Sequence, residues 1–244
     1  MVAVGLKAYL GQAQTMAWLD AVAESCAEFG DQVDIVILPA APFLPAAVAA
    51  GRRSRFQVGA QLVSDRPPGA YTGELPAALL QELGVAYAEI GHAERRFLFG
   101  ETPALVRAKV SACLDQAIAP LLCVGEGVLG DTTPVPTGQA VADACDQLGN
   151  VLDGCDLEAP LLVAYEPVWA IGADQAASAG HVTEVAAAIR HQLAAYPRAR
   201  LIYGGTAGPG VFGELRDALD GLFLGRRAHD PAAFATTLSE VAAA

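Results

Sequence analysis

The chain has 244 residues, 53% of them hydrophobic and 17% charged, which provides a large core and argues against disorder. Its formal net charge of −12 is scattered along the sequence, which argues against a nucleic-acid partner and against an anionic membrane. Gly, Pro or charges interrupt every apolar stretch before it reaches bilayer length, and the N-terminus has no signal-peptide pattern. The five cysteines (Cys26, Cys113, Cys123, Cys145, Cys155) include no C-x-x-C spacing. The expectation is a cytoplasmic protein with reduced thiols, no disulfide framework and no metal site.

In chain order, short β-branched or apolar runs predict strands at 2–7, 34–38, 56–60, 87–90, 120–124, 161–165, 201–203 and 221–224. Helical periodicity falls between them, for instance at 16–29, 104–118, 139–152 and 182–196. Thr102-Pro103 and Asp230-Pro231 each read as an N-cap followed by Pro at the first helical position. Alternating strands and helices imply parallel strands joined by crossovers. Eight such units in a chain of this length predict an α/β fold, a single-domain (β/α)8 barrel spanning residues 1–244. An open doubly wound sheet is the alternative, but no G-x-G-x-x-G turn follows the first strand.

A barrel of this kind carries its chemistry at the C-terminal ends of its strands. Those ends are polar here: Lys7 on the first, Gln61 on the third, "GHAERR" (His92, Glu94, Arg95, Arg96) on the fourth, Glu126 on the fifth and Glu166 on the sixth. Each alone is compatible with a structural role. Their convergence on one rim predicts a charged set around a cavity. Nothing in the sequence has metal-ligand spacing or a cofactor motif, so no cofactor is expected.

The ordered series "GAYTGE" (69–74), "IGHAERR" (90–96), "CVGE" (123–126), "AYEPVWAIG" (164–172), "YGGT" (203–206) and "DGLFLG" (220–225) resembles the triosephosphate isomerase family over nearly the full length. The resemblance implies an aldose–ketose isomerase of short sugar phosphates that works through an enediolate. Glu166 then corresponds to the general base, His92 to the neutral electrophile that polarises the carbonyl, and Lys7 to the cation facing the enediolate. Glu94 corresponds to a residue that pairs with this lysine and has a possible proton-transfer role. Pro167, Val168 and Trp169 resemble the rigid hinge of a lid, and 170–177 its moving part. Gly172 matches a backbone N–H that reaches phosphate, while Tyr203 and Thr206 match a latch. A homodimer is implied as well, because the loop 63–74 is as long as one that carries a Thr, here Thr72, to a partner's active site.

Several positions depart from the family pattern. Gly5 stands where the family has an Asn that touches substrate, Leu62 replaces an Asn, and Ala93 replaces a Ser. The phosphate loop reads Gly225-Arg226-Arg227-Ala228, with two guanidiniums in place of small residues. These arginines either pair with phosphate or point to solvent, and backbone N–H groups at Gly225 and beyond keep a phosphate cradle available. The proton-transfer residues are intact while cavity-shaping residues differ, a pattern that resembles paralogues acting on four-carbon ketose phosphates. Both a triose and a tetrose phosphate remain open as substrate. A catalytically inactive barrel is disfavoured by the joint retention of Lys7, His92 and Glu166. Cys123 and Trp18 are expected to serve packing, and Glu126 to orient its neighbours.

Overall fold

The structure, a computed structural model, describes residues 1–171 and 176–244. Strand and helix alternate throughout. β1 (Val2–Gly5) leads to α1 (Gln12–Phe29), and β2 (Ile35–Leu38) to α2 (Leu44–Ser54). β3 (Gln57–Ala60) is followed by α3 (Ala77–Leu83), and β4 (Tyr87–Ile90) by α4 (Ala93–Phe99) and α5 (Pro103–Leu114). β5 (Ala119–Val124) leads to α6 (Thr137–Leu152), and β6 (Leu162–Tyr165) to α7 (Ala179–Leu193). β7 (Arg200–Tyr203) precedes α8 (Phe212–Leu215), and β8 (Gly221–Leu224) precedes α9 (Pro231–Ala242). The strands pair in sequence order into a closed parallel barrel, with β8 returning to β1 through Val2 opposite Leu222.

Alternation along each strand separates two apolar layers. On β1, Val2 and Val4 face the helices and join the large outer core, whereas Ala3 faces the lumen. The lumen is packed with Val36, Leu38, Leu121, Cys123, Leu162 and Phe223. Its lower part is therefore solid, and the site is expected above it, at the C-terminal ends of the strands.

The two expected caps are present: the Thr102 side chain accepts from the Leu105 N–H and the Asp230 side chain from the Ala232 N–H. Trp18 does more than pack. Its ring lies 5.6 Å from that of Phe234, and its Nε1 donates to the Ala228 carbonyl at 2.9 Å, which fastens α1 to the turn after β8. Among the described residues, no helix is long and apolar enough to cross a membrane.

Candidate active site

A cavity of about 620 Å³ opens at the C-terminal ends of the strands, lined by Gly5, Lys7, Glu89, His92, Glu166 and Arg226 among others. Lys7 lies beyond the end of β1, because the strand stops at Gly5 and the chain then turns. Its backbone is left-handed, with φ 50°, a conformation that costs a non-glycine residue energy and recurs where a side chain must be aimed. Gln61 holds this turn in place, with Nε2 donating to the carbonyls of Lys7 at 3.1 Å and Leu38 at 2.8 Å. The Lys7 ammonium is 2.6 Å from Glu94 Oε1. Burial works against its charge, but the hydrogen bond and charge of Glu94, aided by Glu166 and Glu89, outweigh it and hold the Lys7 pKa above the usual range.

His92 caps α4. Its Nδ1 accepts the Glu94 backbone N–H at 3.2 Å, so the ring proton resides on Nε2. Nε2 lies 3.8 Å from Glu166 Oε1, which places a ring N–H and a carboxylate on the same side of the cavity. Behind the ring, the half-buried Arg96 donates to the carbonyls of Gly91 at 2.5 Å and Cys123 at 3.0 Å, tying β4 to β5. Arg95 points elsewhere and pairs with Glu101 at 2.9 Å, a structural contact in the same motif.

Glu166 follows the last residue of β6, is 4% exposed, and has one carboxylate oxygen without a hydrogen bond among the described residues. Two glycines explain how it fits. A Cβ on Gly125 would lie 1.8 Å from the Glu166 carbonyl oxygen, and a Cβ on Gly204 would lie 2.6 Å from its Cγ. The glycines of "CVGE" and "YGGT" thus make room for this one carboxylate.

The segment after Glu166 is fastened at its start. Val168–Ala170 form a 3-10 turn in which Trp169 Nε1 donates to Glu126 Oε1 at 2.7 Å. The same oxygen accepts from the Tyr165 hydroxyl at 3.2 Å and lies 3.2 Å from His181 Nε2. The Thr206 hydroxyl donates to the Ala170 carbonyl at 2.6 Å. Gly172, a candidate phosphate contact, lies outside the described residues. Cys123 is buried in the lumen, and burial pushes its thiol pKa well up, in keeping with packing.

Across the mouth, Gly225 follows β8 and Arg226–His229 form a 3-10 turn. Arg226 and Arg227 line the cavity and are otherwise exposed, and neither is ion-paired among the described residues. Beside Gly5 the missing side chain does not leave a plain void, since a Cβ there would lie 3.4 Å from the Phe223 ring.

Sequence reading missed Glu89. It occupies an inward position of β4 between Ala88 and Ile90, both of which face the helices, and it lines the cavity below His92. The signal was available as a lone carboxylate at a lumen position of an apolar strand. His181 was missed too, because only the fold brings α7 to Glu126.

Residues 1–241 match the family model described as triosephosphate isomerase. The chain is 40% identical over 248 residues to the L-erythrulose-1-phosphate isomerase of Pectobacterium atrosepticum, spanning 97% of this chain and 93% of that one. It is 37% identical over 230 residues to the triosephosphate isomerase of Mycobacterium avium, spanning 88% of this chain and 85% of that one. The crystal structure of triosephosphate isomerase from Bartonella henselae superposes with a TM-score of 0.84 at 27% identity, covering 100% of this chain and 98% of that one. The barrel, its rim and these matches agree, and the chain belongs to the triosephosphate isomerase family.

Proposed function

We propose that the protein interconverts a short aldose phosphate and its ketose isomer through an enediolate, with Glu166 as the general base. The observation that carries this reading is the approach of Glu166 Oε1 to His92 Nε2, at 3.8 Å, over a cavity that also holds Lys7. Glu166 takes a proton from the carbon beside the carbonyl and returns it to the neighbouring carbon. The His92 Nε2–H donates to the carbonyl oxygen, and the ring passes a proton between the two oxygens as the enediol forms and collapses. Lys7, kept charged by Glu94, stabilises the negative oxygen. The net change moves one hydrogen between carbons and one between oxygens, so no external oxidant is consumed. Gly225 and Arg226 receive the phosphate at the mouth, which Thr206 also lines.

Dihydroxyacetone phosphate and glyceraldehyde 3-phosphate are the first pair to test. A four-carbon ketose phosphate is the second reading, favoured by the relative named for L-erythrulose 1-phosphate. Steady-state assay of purified protein on both classes tests the proposal, and inactivity on both overturns it. We also propose a homodimer, supported by exposed Tyr71, Phe97, Leu98 and Phe99 at 42%, 48%, 66% and 65%.

A further inference from the structure

The carboxyl group of Glu89 is out of keeping with its surroundings. Tyr87 packs into the lumen cluster two residues earlier, and Ala88 and Ile90 face outward, so Glu89 points into the barrel beneath the reacting groups. The lumen cluster that β1, β2, β5 and β8 contribute includes Ala3, Leu38, Leu121, Cys123 and Phe223, all apolar, and Leu121 stands opposite Glu89 in the strand register. Among the described residues its carboxyl makes no hydrogen bond and no ion pair. A carboxyl in such a place weakens the fold, and the compensation expected for it is a ligand.

Lys7, His92, Glu94 and Glu166 are close enough to act on it electrostatically, and the Cys123 thiol lies near as well. Burial, first, and the charges of Glu166 and Glu94 push the Glu89 pKa up to about 7, against the pull of His92 and Lys7. Near neutral pH the group therefore samples both its protonated and its ionised form, able to donate as well as accept.

Substrate chemistry says what would meet it. With phosphate at the Gly225 and Arg226 mouth, the opposite end of a sugar phosphate descends into the barrel. A triose phosphate ends there with its reacting carbons. A four-carbon ketose phosphate carries one more hydroxymethyl group at that end, and its hydroxyl needs a polar partner in an apolar lumen. Gly5, three strands away from β4 around the barrel, adds no side chain to block it.

We infer that Glu89 is a specificity-determining residue whose carboxyl hydrogen-bonds a hydroxyl at the substrate end remote from the phosphate, selecting a four-carbon ketose phosphate. The inference rests on the isomerase reading above. Its test is the ratio of kcat/KM for L-erythrulose 1-phosphate to that for dihydroxyacetone phosphate, in wild type, Glu89→Leu and Glu89→Gln. A pocket that loses the partner of a buried hydroxyl loses discrimination, so Glu89→Leu should lower the ratio at least about tenfold. Glu89→Gln, which still donates and accepts, should stay within about threefold of wild type. A ratio unchanged in Glu89→Leu, or a wild type that isomerises triose phosphate but no four-carbon ketose phosphate, overturns the role of Glu89 and leaves the isomerase reading intact. Wild type inactive on both substrates overturns the isomerase reading itself.

Discussion

Trp169 donates its indole N–H to Glu126 at 2.7 Å, which ties the turn behind Glu166 to the end of the neighbouring strand. Glu126 is 1% exposed and shares this oxygen with Tyr165 and His181, so the anchor is buried and charge-assisted. Trp169→Phe keeps the ring and deletes the donor. We expect a stability loss of about 1.5–3 kcal/mol, the range for hydrogen bonds to charged groups, read as a lower urea midpoint at an unchanged slope. An unchanged midpoint would mean that Tyr165 and His181 satisfy the carboxylate without the indole.

Glu166→Gln keeps the shape of the side chain and removes the proposed base. Turnover should fall by orders of magnitude while KM changes little, because the group acts in the transition state and not in ground-state binding. His92→Gln should follow the same pattern less severely. Retention of more than roughly a tenth of the activity, which corresponds to about 1.4 kcal/mol of barrier, would show that another residue is the base.

Much of this arrangement is legible in the sequence, for a physical reason. Parallel strands buried on both faces read as largely apolar runs, and all eight are visible in that way, with ends that differ by two residues at most. Ala77–Leu83 is less visible because so short a segment leaves little periodicity. Lys7 reads as a strand residue because its pattern continues that of β1, yet its left-handed backbone is set by Gln61 and Leu38 from other strands. Glu89 is the informative miss. A strand pattern tells which way a side chain points only once the barrel closes and inside is distinguished from outside.

That carboxyl also gives the protein a pH signature. The Glu89 pKa is raised from an ordinary 4.5 to about 7 by burial first and by Glu166 and Glu94, opposed by His92 and Lys7. A folded state whose acid has a raised pKa binds the proton more tightly than the unfolded chain. This group therefore subtracts stability as pH rises through the interval between those values, and the penalty is complete above pH 7. Its ceiling is about 3 kcal/mol, reduced by cavity water. Glu89→Leu should therefore gain more over wild type at pH 8 than at pH 5 in thermal denaturation. Equal gains at both pH values would place the ionised carboxylate in a solvated setting.

The exposed Phe97, Leu98 and Phe99 sit at the end of α4, and Tyr71 is exposed on the loop between β3 and α3. Such apolar side chains in solvent need covering, and a second copy of the chain is the proposed cover. Light scattering at micromolar concentration should give twice the monomer mass. Leu98→Asp should shift the protein toward monomer if this face is the interface. A wild-type monomer would refute the dimer.

Arg226 lines the cavity mouth, is exposed and has no ion-pair partner among the described residues. It follows Gly225 at the start of a turn that Trp18 fastens through the Ala228 carbonyl. An unpaired guanidinium on a fixed turn attracts a phosphate dianion with a strength that depends on ionic strength, because the site is open to solvent. Arg226→Ala should raise KM for a sugar phosphate about tenfold in dilute buffer and leave kcat nearly unchanged, since the phosphate is bound alike in ground and transition states. The difference from wild type should shrink as salt is added. If KM does not change at any salt concentration, the arginine faces solvent in the bound state, and the backbone around Gly225 holds the phosphate without it.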